Sequence, residues 1–195
     1  MTQPPLARMV RGRMTERALA QRSDAWIWAL VVAATCSVVA LAVVQGNRSE
    51  SHLAGKPAPD VALPLLGGGK SAIQHGKVTM VDFWATWCAP CRASMPRVQK
   101  VWQEYKPNGV ELYSVDTDDP SADRESQVSE FLLQNRLTFP VVLDDGTAER
   151  AFAVASLPTM LLLDKEGKVV WSHIGALNAS REVDLRAALN RALSR

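Results

Sequence analysis

Apolar and polar positions change rhythm several times along this chain, and each change predicts an element. Residues Ala25 to Val44 form a run of twenty uncharged residues with no polar face. At about 1.5 Å per helical residue, such a run spans roughly 30 Å, the hydrocarbon thickness of a bilayer, so a transmembrane helix is expected there. Thr79-Met80-Val81-Asp82-Phe83-Trp84 is short, apolar and rich in β-branched and aromatic residues. It reads as a buried strand, although periodicity alone does not separate it from a buried helix. From Pro90 to Tyr105 the pattern changes again: Met95, Val98, Val101, Trp102 and Tyr105 recur at spacings of three and four, which is one face of a helix. Pro90 suits that helix's first turn, and Pro96 should kink the helix without ending it.

Further on, strand and helix patterns alternate. Gly55 to Asp60, Val61 to Leu66 and Gly67-Gly68-Gly69 suggest an extended lead-in ending in a turn. Val110 to Val115 is a second strand. Val128, Phe131, Leu132 and Asn135 mark a helix between about Asp123 and Arg136, Phe139 to Leu143 suggests a strand, and Ala148 to Phe152 a short helix. This alternation implies parallel pairing with helices packed on a sheet. Thr159 to Leu163, the turn Asp164 to Gly167, and Lys168 to Ile174 read instead as an antiparallel hairpin. Asn178-Ala179-Ser180 should then cap a last helix carrying Val183, Leu185, Ala188, Leu189 and Ala192. The expected fold class is α/β, a mixed β-sheet flanked by helices and preceded by one N-terminal transmembrane helix. Four segments follow: a basic arm over 1–24, the anchor over 25–44, a polar linker over 45–53 and a folded domain over 54–195.

The net charge of +2 is too small to argue for nucleic acid, and the cations form no stripe with interleaved aromatics. Their placement says more. Arg8, Arg11, Arg13, Arg17 and Arg22 all precede the apolar run, which favours a cytoplasmic N-terminus with Trp26 and Trp28 at the inner headgroup boundary. A buried core helix is the plainer alternative, but the run lacks a polar face. A cleaved signal peptide is the stronger competitor, since Ala40-Leu41-Ala42 offers a small-x-small cut, yet the run continues through Val43 and Val44. Lipid attachment at Cys36 is disfavoured by its mid-span position. The uncleaved anchor is the preferred reading, and anchor and signal peptide alike place the domain outside the cytoplasm.

Within that domain Cys88 and Cys91 stand alone as cysteines. A Cys-x-x-Cys pair at a strand-to-helix junction places its first thiol near the positive end of the helix, where unpaired N–H groups stabilise a thiolate. Zinc would need two further ligands, and His52, His75 and His173 are not at ligand spacing. Stapling through so short a loop gains little entropy, so reactivity explains the pair better. No metal and no cofactor are expected. Trp84, Trp87, Trp102 and Trp171 read as packing residues first, with Trp87 also assigned to the surface around Cys88. Asp82, lone in an apolar strand, is costly unless partnered or protonated, and burial would raise its pKa toward the range useful for proton transfer. The alternative is a carboxylate at a strand end facing solvent.

Phe83-Trp84-Ala85-Thr86-Trp87-Cys88-Ala89-Pro90-Cys91-Arg92, Met95-Pro96 and Ser156-Leu157-Pro158-Thr159 resemble a thioredoxin-like domain. The likeness is closest to the membrane-anchored, extracytoplasmic TlpA/ResA group of thiol:disulfide oxidoreductases, and it covers roughly Ala54 to Leu193. Gly55 to Asp60 and the polar stretch Asp116 to Gln127 are similar to that group's N-terminal addition and central insertion. The resemblance implies a redox disulfide between Cys88 and Cys91, a cis bond before Pro158, and a substrate surface formed by Trp87, Ala89, Pro90, Leu157 and Pro158. It implies that Asp82 assists the second cysteine, as an acid does in thioredoxins. Several TlpA/ResA relatives carry Asn there and an acid in the insertion. Asp116, Asp118 or Asp119 could supply it here, although these residues read more simply as a solvated acidic loop.

The implied partners are disulfide-containing substrate proteins and a membrane dithiol electron donor of the DsbD/CcdA type, with the N-terminal helix contacting the membrane. Ala89-Pro90 is nearer the Gly-Pro of thioredoxin than the Pro-His of a strong oxidant, which favours a protein disulfide reductase. Apocytochrome c cysteines and copper-site cysteines are both consistent substrates. Three other functions use the same residues differently. Copper delivery would take the two thiolates plus His173, a peroxidase would need Thr-x-x-Cys, and a docking module would not need Cys88.

Overall fold

The structure, a computed structural model, describes residues 26–40 and 53–194. Residues 26–40 are helical (α1) and belong to a different compact unit from the residues that follow the linker. Every one of them is exposed and none is charged. The Thr35 hydroxyl donates to the carbonyls of Val31 and Val32, and the Ser37 hydroxyl to that of Ala33, so these polar groups are satisfied within the helix. No helix among the described residues is long and apolar enough to cross a membrane. The span expected over 25–44 includes Ala25 and residues 41–44, which lie outside the described residues, as do the arm over 1–24, the linker as far as residue 52, and Leu41 and Ala42 of the candidate cut.

The second unit is built on β1 (Ala62–Pro64), β2 (Lys70–Ala72), β3 (Thr79–Trp84), α2 (Ala89–Tyr105), β4 (Glu111–Asp116), α3 (Arg124–Gln134), β5 (Val141–Leu143), α4 (Thr147–Ala151), β6 (Thr159–Leu163), β7 (Val169–Ile174) and α5 (Ala179–Leu193). Five strands form one sheet in the order β5-β4-β3-β6-β7. β3 pairs in parallel with β4, and β4 with β5, whereas β6 runs antiparallel to both β3 and β7. This is the expected mixed sheet.

β3 lies at the centre and all six of its residues are buried, which explains a sequence without apolar–polar alternation: α2 and α5 cover one face, and α4 with the lead-in segment covers the other. Val81 and Phe83 pack with Tyr113, Phe152 and Leu161 on one face. Met80 and Trp84 pack on the other with Cys91, Met95 and Val98 of α2 and Leu185 and Leu189 of α5. Because side chains alternate along a strand, Asp82 belongs to the same face as Met80 and Trp84, the face under α2. Helix α2 runs on past Pro96 to Tyr105 and buries Met95, Val98, Val101, Trp102 and Tyr105, the stripe its spacing predicted.

Element ends shift by a residue or two from expectation, and two differences have a physical reason. β5 starts at Val141 rather than Phe139, because Pro140 has no N–H to give to a ladder. The lead-in is more than an extended segment: β1 and β2 pair antiparallel across Gly67 to Gly69, all at positive φ, and Lys70-Ser71-Ala72 carries no apolar signal that would announce a strand. The same lead-in lies along both margins of the large sheet. Leu66 N–H donates to Val141 O at 2.9 Å and Leu65 bridges Val142 at β5. At β7, Gly55 N–H donates to Val169 O and Val169 N–H to Lys56 O, each at 2.9 Å, and Pro57 bridges Lys168.

Candidate active site

β3 ends at Trp84, the chain crosses Ala85-Thr86-Trp87, and α2 begins at Ala89 with Cys88 as its N-cap. An N-cap side chain faces helix N–H groups that have no carbonyl partner. Here the Cys88 sulfur fills that role, accepting from the Cys91 N–H at 3.2 Å. The first turn contains no acidic residue, so a negative charge on that sulfur meets an N–H dipole and the helix field with no carboxylate opposing it. Cys88 and Cys91 are joined as a disulfide with Cα atoms 5.2 Å apart. Ser94, one turn further along, donates to Pro90 O and accepts from Leu177 N–H, both at 2.9 Å, tying the first turn of α2 to the segment before α5.

The Leu157–Pro158 bond is cis. Pro158 is buried, its carbonyl accepts from Gly175 N–H at 2.8 Å, and β6 starts at the next residue. A groove of about 500 Å³ opens between this loop and the cysteine loop. Trp87, Cys88, Ala89 and Pro90 line one side and Val154 to Leu157 the other, while Thr117, Asp119 and Glu149 close a third. The predicted residues Trp87, Ala89, Pro90 and Leu157 therefore line one groove together with Cys88. Cys91, Pro158 and Asp82 are buried and do not line the groove. Cys88 is itself only 4% exposed and Cys91 1%, but of the two cysteines Cys88 is the one that lines the groove.

Asp82 is only 3% exposed, and burial pushes its carboxyl from the ordinary 3.8 up to about 7. A carboxyl with a pKa of about 7 is partly ionised near neutrality, so its carboxylate can accept a proton from a thiol, whose ordinary pKa is about 8.5. The same shift has a thermodynamic consequence. Between about pH 4 and 7 the folded state keeps a proton that the unfolded chain has lost, so this group's contribution to stability falls as pH rises through that window. Asp82→Asn is expected to remove that slope and to be the more stable protein at pH 8, by at most about 4 kcal/mol for three pKa units. Urea unfolding of both proteins at pH 4 and pH 8 checks this; equal pH dependence would show that Asp82 does not carry the titration.

The acidic stretch that begins at the last residue of β4 corrects an expectation. Asp116 and Asp118 are buried rather than solvated; only Asp119 is exposed. The physical reason is Arg124, itself buried. Its Nε donates to Asp116 Oδ2 at 2.8 Å, and its two terminal nitrogens donate to the Asp116 and Asp144 carbonyls at 2.6 Å. Burial, and then the Asp118 charge, push the Asp116 carboxyl up to about 7 against the pull of Arg124. Asp118 Oδ1 accepts from Thr86 N–H at 3.0 Å, and Thr117 N–H donates to Trp84 O at 2.8 Å. The loop presenting Cys88 is thereby held to the end of β4.

Residues that sequence reasoning passed over also enter here. Glu149 reaches the groove from α4, sixty-one positions beyond Cys88, too far for any local pattern. Arg124 had a signal: it opens α3, where the helix field opposes a cation, so another demand must hold it there. Among the described residues no group of three or more His, Cys, Asp or Glu is placed to hold a metal ion. His173 is buried with Nε2 3.3 Å from Ala176 O, and burial pulls its pKa down.

Residues 54–172 match the AhpC/TSA family. A thiol-disulfide oxidoreductase ResA of Bacillus cereus is 36% identical over 151 residues, covering 75% of this chain and 85% of the relative. The chain is a thiol-disulfide oxidoreductase of the AhpC/TSA family. Another relative, the thioredoxin-like protein YneN of Bacillus subtilis, is 38% identical over 126 residues, 63% of this chain and 72% of that one. Among solved structures, a Chlorobium tepidum protein assigned as the thiol:disulfide interchange protein DsbE superposes with a TM-score of 0.65 at 33% identity, over 72% of this chain and 97% of that one. The family match over residues 54–172 takes in Cys88, Cys91 and Pro158 together.

Proposed function

We propose that this oxidoreductase works as a reductant outside the cytoplasm, held to the membrane by the segment Ala25 to Val44. The observation that carries the chemistry is that Cys88 alone of the pair lines the groove, with its sulfur on the helix N–H of Cys91. In the reduced protein the Cys88 thiolate attacks one sulfur of a substrate disulfide. A Cys88–substrate disulfide forms, the substrate S–S bond breaks, and the other substrate sulfur leaves as a thiolate that takes up a proton. Cys91 then gives its proton to Asp82 and attacks the Cys88 sulfur. The mixed disulfide breaks, the second substrate thiol is released, and two electrons have passed from the enzyme to the substrate. A membrane dithiol protein of the DsbD/CcdA type restores the pair by the same exchange run against Cys88–Cys91.

Ala89-Pro90 between the cysteines supports the reductive direction, with a potential nearer that of thioredoxin, about −270 mV, than that of DsbA, about −120 mV. Cysteines of apocytochrome c and of copper sites are the proposed substrates. A peroxidase on this fold is less well supported, since the residue three before Cys88 is Ala85 and not Thr.

Cys91→Ala tests the mechanism. Attack by Cys88 still proceeds but cannot be resolved, so the variant should accumulate covalent adducts with substrate proteins that dissolve on adding dithiothreitol. Non-reducing gels of the membrane fraction read this out. Absence of adducts, while the same variant alkylates normally at Cys88, would exclude the exchange sequence. Labelling of Cys88 by a membrane-impermeant thiol reagent in intact cells tests the location.

A further inference from the structure

Three features of the groove point beyond disulfide exchange to the polypeptides that enter it. The first is its apolar surface, supplied by Trp87, which is 68% exposed, together with Pro90, Val154 and Leu157. Exposed indole beside a reactive sulfur suits a peptide segment laid across it. The second is its charge. Asp119 and Glu149 are its charged lining residues, and no Lys, Arg or His lines it. The third is that the cations nearest in sequence to these acids are committed elsewhere. Arg124 is buried on Asp116 and on the Asp144 carbonyl. The Arg150 guanidinium lies over Gly146, with one nitrogen 3.5 Å from the Thr147 hydroxyl.

Neither Asp119 nor Glu149 takes part in an ion pair among the described residues. Glu149 is held in place from behind: its N–H donates to Asp144 Oδ2 at 2.9 Å, and Ala148 N–H donates to Asp144 Oδ1 at 2.8 Å. Asp144 is thus spent on the start of α4, and its charge adds to the negative field at Glu149. Partial burial, followed by that field, raises the Glu149 pKa. Arg124 and Arg150 offset this field only in part, without an ion pair to Glu149, and an ammonium or guanidinium arriving from a bound chain would add to that compensation.

We infer that the groove favours polypeptides with a lysine or arginine close to the disulfide being exchanged, the cation being received by Asp119 and Glu149 while apolar neighbours lie on Trp87 and Leu157. This rests on the exchange mechanism proposed above and adds a substrate class to it.

The test uses the full-length protein in detergent, reduced and freed of reductant. Three synthetic peptides of equal length each carry one internal disulfide, with Lys, Gln or Glu placed two residues from the sulfur under attack. The quantity read is the ratio of second-order reduction rates. The Lys peptide is expected to react about tenfold faster than the Glu peptide at low ionic strength, with Gln between them, and the ratio should fall toward one in about 0.5 M salt. It should also fall toward one in the double variant Asp119→Asn, Glu149→Gln, and part of the way in each single variant. A wild-type ratio near one overturns the inference, and so does a ratio that survives in the double variant, which would place the discriminating charge elsewhere. Both outcomes leave the exchange mechanism standing. If none of the three peptides is reduced, the mechanism itself fails and takes the inference with it.

Discussion

Cys88→Ser is expected to lower the rate of disulfide reduction by about three orders of magnitude or more, because an oxygen at this position can neither ionise near neutrality nor form the covalent intermediate. The variant is a clean one. Cys88 is the N-cap of α2, serine is among the preferred residues there, and the helix start should survive the exchange. Turnover of insulin by dithiothreitol, with and without the protein, measures the loss, and circular dichroism of the reduced proteins verifies the fold. A rate within tenfold of wild type would mean that the sulfur at position 88 is not the attacking atom. The same result would favour a docking role in which the groove binds partners without exchange.

The largest effect on stability is expected from Arg124→Ala. The side-chain pair of Arg124 and Asp116 is 7% and 0% exposed, and removing one member of a pair so deeply buried typically costs about 3–5 kcal/mol, because the remaining charge stays without compensation. One oxygen of Asp116 and one of Asp118 already lack hydrogen-bond partners, so the site holds no spare donor to take over. Without Arg124 the Asp116 carboxyl is pushed up further. The folded wild type keeps the Asp116 proton up to about pH 7 and the variant keeps it beyond that, so the deficit should be smallest and nearly flat below about pH 7 and grow as pH rises above it. Urea titrations across that range measure it. A loss below about 1 kcal/mol at pH 8 would mean that water replaces the guanidinium and that the pair does not organise the ends of β4 and β5.

What the sequence made legible follows from where the information is stored. β3, α2, β6 and α5 are long or strongly patterned, and their apolar positions alone locate them. Asp82 was legible as a buried acid because it interrupts a run of strand residues that has no solvent side. The chain from Asp116 to Asp119 misled because Asp-Thr-Asp-Asp has the composition of a wet loop. Its burial depends on one arginine at the head of the next helix, and nothing in the spacing announces that Asp116 Oδ2 and Arg124 Nε meet at 2.8 Å. The groove posed the same difficulty. Trp87 to Pro90 and Leu157 carried their own motif, whereas Thr117, Asp119 and Glu149 become neighbours of Cys88 only once β4 and α4 are folded beside it. The strand β2 was lost for a simpler reason, since Lys70 and Ala72 are exposed and hydrophobicity leaves no mark on them.

The lead-in segment that lies along β5 and the first residue of β7 bears on how such an enzyme handles unfolded clients. A non-native chain adheres readily to any bare ladder of amides and carbonyls, and an exchanger that let its clients zip onto its own sheet would be slow to shed them. By occupying those positions with its own backbone, the domain withdraws them from pairing with a client strand and leaves the groove beside Cys88 as the surface proposed for client contact. On the exchange sequence proposed above, residence time would then be set by the resolving attack of Cys91.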